Sequence, residues 1–444
     1  MLNEFRRTAL LIAAVLSIAA SLPAIAQQQQ QHKIDSLDLG KVQDMLHAAY
    51  NDVKKNYYDP QYHGIDIDAR YREYNSRLSS AVSLNEGMRV VAAYLDGFKD
   101  SHLFFIPPMR PYTIESGFRM EMVGDQCLID RVRPGTDAAD KLYPGDRILS
   151  LNSFKVTRTD MWTVGYYFNV LNPAVDYDLN LQSPDGTMRR VGVKSFIKQK
   201  PKTIDLTNPG QDYWDLIRQG DYEDHVTRSI LKTEGDVTYW KMPEFNLGID
   251  EVEGDFSRVK KHSALVLDLR GNPGGAIETL KLMVGSVFDH DVKIADRVGR
   301  KDSKPMIAKK FGTPFTGKIV VLIDDRSASC AELFARILQL EHRGTVIGDQ
   351  SSGSVMEARR FEETSGTDTV VPFGFSITDA NLIMSDGKSL EKTGVTPDEV
   401  VLPTPEDLAA GRDPVLARAA TLAGGSLSPE QAGKMFPVEW LPLR

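Results

Sequence analysis

Ala264-Leu-Val-Leu-Asp-Leu-Arg-Gly-Asn-Pro-Gly-Gly275 and, further along, Val320-Val-Leu-Ile-Asp-Asp-Arg-Ser-Ala-Ser-Cys-Ala-Glu332 are the two stretches that decide the fold. Each opens as an unbroken apolar run, the pattern of a strand buried on both faces. The first run ends in a turn of Gly, Asn and Pro that presents bare backbone N–H groups. The second passes through small residues, including Ser327 and Ser329, into Ala331-Glu-Leu-Phe-Ala-Arg-Ile-Leu-Gln-Leu340, which has helical apolar spacing. A serine thus stands where strand becomes helix, with the positive end of the helix facing any developing oxyanion. Read together, the two stretches suggest an acyl-transfer site.

Outward from this pair, strand and helix patterns alternate from Asp236 to about Gly424, which predicts an α/β layered core. Upstream, Leu37 to Phe98 carries apolar residues at three- and four-residue steps and predicts a small helical domain. Pro107, Pro108 and Pro111 break that pattern, and short alternating strands follow to about residue 198. The amino terminus has a basic start, an apolar stretch too short to span a membrane comfortably, and Ala24-Ile-Ala26. This is the pattern of a secretory signal peptide cleaved after Ala26, which implies an exported, periplasmic or extracellular protein. No cysteine precedes Cys127, so the lipidated cysteine of a lipoprotein anchor is missing and no stable membrane anchor is expected. Gln27 to Gln31 is a low-complexity tract. The expected division is signal peptide 1–26, helical domain 27–112, inserted β domain 113–198, α/β core 199–425 and tail 426–444.

Composition narrows the function. The net charge of −8 over 444 residues, without a compensating basic tract, argues against nucleic acid as a partner. No Cys/His cluster has zinc-site spacing, so neither metal nor cofactor is expected. The two cysteines, Cys127 and Cys330, make no disulfide framework and are expected as small buried hydrophobes.

Pro134-Gly-Thr-Asp-Ala-Ala139 and Pro144-Gly-Asp-Arg-Ile-Leu-Ser-Leu-Asn152 make the inserted region resemble a PDZ domain. That resemblance implies capture of a carboxy-terminal peptide as an added strand, with Ser116-Gly-Phe-Arg-Met120 where the carboxylate-binding loop should lie. The competing role is that of a spacer. The two opening stretches, with Thr345-Val-Ile-Gly-Asp-Gln-Ser-Ser-Gly353 and Leu390-Glu-Lys-Thr-Gly-Val-Thr-Pro-Asp398, resemble the carboxy-terminal processing, or tail-specific, serine peptidases. The resemblance implies a core similar to the Clp protease and crotonase fold, and polypeptide substrates taken as unfolded or carboxy-terminal segments.

By the same resemblance Ser329 is the nucleophile, and the backbone N–H of Cys330 with that of Gly275, or of Gly274, forms the oxyanion hole. Ser327 is the rival serine, expected to bond locally to backbone or to cap the helix. The better-known branch of the family uses a lysine as base in a Thr-Phe-Gly-Lys element. Here Ser351-Ser-Gly-Ser354 stands in its place. Asp100-Ser-His-Leu-Phe-Phe-Ile-Pro107 is instead similar to the tricorn core branch, whose Ser-His pair corresponds to Ser101 and His102. That branch implies His102 as general base, with Ser101 and Glu391 completing a relay. Each residue also has a structural reading: His102 as a hydrogen-bonding group, Ser101 as a turn cap, Glu391 as a partner of Lys388 or Lys392, and Asp268 and Arg270 as shapers of the turn. A catalytically silent peptide-binding protein is the alternative to an exported serine endopeptidase. A crotonase-type enzyme acting on acyl thioesters is a third reading, disfavoured by export and by the inserted domain.

Overall fold

Residues 34–110, 112–199, 228–366 and 370–440 are described by the structure, a computed structural model. The expected signal peptide and its expected cleavage after Ala26, the glutamine tract and Pro111 lie outside the described residues. Six strands form the central sheet, in the spatial order Glu399–Val400, Thr345–Gly348, Lys318–Ile323, Ala264–Asp268, Val237–Lys241, Ile230–Glu234. All pairs are parallel except the last. Every residue of Ala264–Asp268 is buried, as is all of Lys318–Ile323 except Lys318. These are the two continuous apolar runs of the sequence, and helices cover both of their faces. Ile249–Val259, Ile277–Gly285 and Cys330–Leu340 share one hydrophobic cluster, and Pro414–Ala423 and Pro429–Gly433 share the other. Leu427, Ala432 and Met435 belong to the second cluster, so the chain beyond residue 425 is part of the core as far as Met435 rather than a separate tail.

A second sheet is built on Val371–Ile383, which pairs along its length with Met356–Ser365 and on its other side with Phe104–Ile106 and Val292–Gly299. The helices expected upstream are Ser36–Asn56, Ile67–Leu78 and Leu84–Asp96. Asp35 caps the first and Ser83 the third, and the first buries Val42, Met45, Leu46, Ala49 and Val53 at helical spacing. Their core is not their own: Phe373, Phe375 and Ile377 of the second sheet belong to the same cluster. This shared packing anchors the segment that carries Ser101 and His102 to the far end of the chain.

Residues 118–194 form a five-stranded antiparallel sheet with the helix Met161–Tyr166, joined at its base by Tyr112–Glu115 pairing with Phe196–Gln199. Its edge strand, Phe118–Val123, faces the α/β core. Asp325 Oδ2 accepts from Met122 N at 2.8 Å, and Asp349 Oδ2 accepts from Gly124 N at 2.8 Å. Arg326 reaches Glu121 at 2.7 Å, and Arg158 reaches Asp349 at 2.6 Å. Burial pushes the Glu121 carboxyl up to about 8 and that of Asp325 up to about 7, with Asp130 and Asp324 respectively adding like-charge repulsion. Cys127 and Cys330 are both free and buried.

Candidate active site

The site starts where Ala264–Asp268 ends. Asp268 is held by Arg270, whose guanidinium also binds Asp413, so this pair ties the turn to the Pro414 helix. Asn272 is fully buried. Its side chain donates to Met242 O and accepts from Gly274 N, both at 2.8 Å, while its carbonyl accepts from Ala328 N at 2.9 Å. Phe245 then pairs with the glycines, accepting from Ala276 N and donating to Gly274 O at 2.7 Å each. A side chain on Gly275 would meet Phe245 O at 2.3 Å, and one on Gly274 would meet Ser329 Cβ at 2.6 Å. Only glycine fits so close to the serine.

Lys318–Ile323 feeds the second wall. Asp324 Oδ1 accepts from Gly271 N, Arg326 N and Ser327 Oγ, which locks the two turns together. Ser327 is fully buried; its single hydroxyl proton is shared between Asp324 Oδ1 and Leu269 O, and its oxygen accepts from Asp324 N. It is committed to local bonds. Ser329 is half-buried at the start of helix Cys330–Leu340, with φ 53° and ψ −119°. Positive φ in a residue other than glycine costs ~1–3 kcal/mol and needs surrounding structure to hold it. Two acceptors supply that hold on Ser329 N, namely Ser354 O at 2.9 Å and Glu332 Oε2 at 3.1 Å, while the Ser329 hydroxyl makes no capping bond. Burial pushes the neighbouring Cys330 thiol up to about 12, so it carries no thiolate near neutral pH.

Glu332 is fully buried and was given no role from the sequence. Its carboxylate accepts four bonds, from Ser329 N, Ser354 N, Gly353 N and Ser351 Oγ. Burial pushes it up to about 7 in spite of these donors. The Ser-x-x-Glu spacing at a helix start was the signal that could have found it. Asn272 and Asp324 lacked even that, since turns rich in polar residues give no indication of which side chain is buried.

Glu391 lies against the same loop. Its Oε2 accepts from Val355 N at 3.0 Å and from Ser101 Oγ at 2.8 Å, and its Oε1 accepts from Ser101 N at 3.0 Å. Ser101 Oγ is also 2.8 Å from His102 Nδ1. A hydroxyl has one proton, and here it goes to an acceptor-only carboxylate, so Ser101 accepts from Nδ1–H of His102. Nε2 is then the nitrogen with the free lone pair. Burial holds the imidazole below its ordinary value against the opposing pull of Glu391 and Asp100, with Lys392 adding to the downward shift. His102 is therefore neutral at neutral pH. Lys392 Nζ stands 3.5 Å from Glu391, whereas Lys388 makes no ion pair with it among the described residues.

Ser101, His102 and Glu391 are thus in direct contact. Among the described residues no hydrogen bond joins the Ser329 hydroxyl to His102; Ser329 is linked to the three through one loop, in which the Ser354 carbonyl binds Ser329 N and the next amide, Val355 N, binds Glu391. Gly274 N is occupied by Asn272. Among the described residues no acceptor lies on Gly275 N or Cys330 N.

Comparison with known proteins adds a family context. The profile of "Peptidase family S41" matches residues 236–401, and that of "Tricorn protease C1 domain" matches residues 41–86. The chain is 30% identical over 308 residues to a carboxy-terminal-processing protease of Bartonella bacilliformis, covering 65% of this chain and 62% of that relative. It is 24% identical over 330 residues to the tail-specific protease of Haemophilus influenzae, covering 66% of this chain and 44% of that relative. The chain therefore spans less than two thirds of the length of these curated relatives. Mature CPAF has a similar fold, with a TM-score of 0.62 at 14% identity over 84% of this chain and 96% of that chain.

Proposed function

This chain belongs to peptidase family S41, and from that premise we propose that it is an exported serine endopeptidase acting on unfolded or carboxy-terminal segments of polypeptides. Ser329 Oγ attacks the scissile carbonyl carbon while His102 Nε2 takes its proton. The carbonyl π pair moves onto oxygen, and the oxyanion is met by Gly275 N–H and Cys330 N–H. Each such donor is typically worth ~3 kcal/mol of the barrier. The imidazolium returns the proton to the leaving amine as the C–N bond breaks, and water then hydrolyses the acyl-enzyme by the same base. Glu391 stabilises the imidazolium through the Ser101 hydroxyl.

The observation that carries this reading is the Ser101 hydroxyl set between Glu391 and Nδ1 of His102, which leaves Nε2 as the nitrogen with the free lone pair. The replacement of the family lysine by Ser354 then removes one base without leaving the site without any. The 113–198 region, as a PDZ-like domain, would deliver or align the substrate tail. Two of its edge amides, Met122 and Gly124, are bound to core carboxylates, which favours an aligning role over strand capture along the whole edge.

The test is labelling by a serine-reactive fluorophosphonate together with hydrolysis of an unstructured protein. Wild type labels and cleaves, Ser329→Ala does neither, and His102→Ala labels far more slowly. Undiminished cleavage by Ser329→Ala, or no labelling of the folded wild type, would refute the reading.

A further inference from the structure

The acid next to the base pair, Asp100, has no assigned role, and its surroundings are unusual for a structural carboxylate. It is 8% exposed. Oδ1 accepts from His102 N at 2.9 Å and from Thr378 Oγ1 at 2.7 Å, and Oδ2 accepts from Tyr57 Oη at 2.9 Å. These donors come from three parts of the fold: the turn itself, the strand Val371–Ile383 and the end of the first helix. Tyr58 N donates to Thr378 O at 3.0 Å and fixes the helix end to the strand. All three donors to Asp100 are neutral, and among the described residues no Lys or Arg forms an ion pair with it.

A buried carboxylate without a counter-ion is costly, and a neutral acceptor could hold the same three donors. The charge gains a partner only when His102 is protonated. We propose that Asp100 is a positioning residue for the proposed base, fixing the turn that carries His102 and setting a second negative charge beside the imidazole in addition to the Ser101–Glu391 relay. This inference rests on the reading of His102 as general base. The charged and titratable groups around the pair are consistent with it. Glu391 and Asp100 favour the imidazolium and Lys392 opposes it, while Tyr57 and Tyr58 stand beside Asp100, with Asp59 and His63 among the other contacts of these tyrosines. Arg300 of the neighbouring strand end donates to Tyr57 O rather than to the carboxylate.

Asp100→Asn isolates the charge. The amide oxygen keeps the bonds from His102 N and Thr378, and the NH2 group faces a tyrosine oxygen that can accept instead of donate. The expected result is an acid limb of kcat/KM displaced downward by about one pH unit, as loss of a neighbouring charge predicts. The plateau kcat should fall about tenfold with KM little changed. Thr378→Val removes one donor without removing charge; it should lower the unfolding midpoint and leave the acid limb in place. A 15N NMR titration of the His102 imidazole in the Ser329→Ala background reads the same shift without turnover. If the wild type proves inert, the peptidase reading fails while this titration still tests Asp100. An unmoved His102 titration in folded Asp100→Asn overturns the proposal, as does a shift of equal size in Thr378→Val.

Discussion

Substituting Gly274 by alanine tests the contact between the glycine turn and Ser329 more directly than removal of either proposed catalytic side chain. At φ +96° the new Cβ would stand 2.6 Å from Ser329 Cβ, 2.9 Å from Ala328 O and 3.0 Å from Cys330 N. Ordinary carbon contacts lie at ~3.5–4.0 Å, so the serine must give way by about 1 Å. Displacement on that scale costs ~10²-fold in rate. The matched control is Gly271→Ala, in the same turn at φ +73°, where a Cβ would meet only Arg326 Nη2 at 3.9 Å. Both variants carry the left-handed backbone penalty of ~1–2 kcal/mol, and only the first moves Ser329, the proposed nucleophile. Fluorophosphonate labelling rates, read beside thermal unfolding of the same samples, should therefore fall about a hundredfold for Gly274→Ala and stay within a few-fold of wild type for Gly271→Ala. Wild-type labelling in folded Gly274→Ala would refute the reasoning, as would an equal loss in Gly271→Ala.

Ser327→Ala leaves Asp324 N without its acceptor inside the core and should cost ~1–3 kcal/mol in a denaturation experiment while retaining labelling of Ser329. On the proposed mechanism the acid limb of hydrolysis follows His102, which must be neutral to act as base. Lys392→Ala should move that limb to higher pH and Glu391→Gln to lower pH, since the first group depresses the imidazole and the second supports it. Glu332 binds its proton more tightly folded than unfolded, so its contribution to stability falls as pH rises from about 4.5 through about 7. Glu332→Gln should lose two acceptors and be less stable throughout. Its stability relative to wild type should nevertheless improve across that window, by roughly 3 kcal/mol, as read from unfolding free energies at a series of pH values.

The central sheet was legible because parallel strands buried on both faces leave unbroken apolar runs, and Ala264–Asp268 and Lys318–Ile323 are such strands. The second sheet was not legible as a unit. Phe104–Ile106 pairs with residues 374–376, and no periodicity reports a partner that far along the chain. The same limit applies to the candidate site. A resemblance pointed to Ser101, His102 and Glu391 together, but across a separation of 290 positions the sequence carries no local sign that Ser101 and Glu391 touch. Glu332 and Asp100 were missed for a different reason: acidic residues in the first turn of a helix or in a polar turn are usually solvated, and burial is what separates these two from the rest.

That burial bears on why a serine at 354 is compatible with an ordered nucleophile. At this position the main chain carries the structural role, since the Ser354 carbonyl accepts from Ser329 N and its amide donates to Glu332. Neither bond depends on the side chain, so exchanging a lysine for serine here leaves the hold on Ser329 unchanged. What such an exchange removes is a proton acceptor. A replacement acceptor must arrive from an element packed against this loop, and Glu391, bound to Val355 N on one side and Ser101 on the other, is the link between them. The strained backbone at Ser329 and the imidazole at His102 are therefore supported by one continuous set of bonds, and a break at Glu391 should disturb the proposed base while leaving the Glu332 and Ser354 bonds to Ser329 intact.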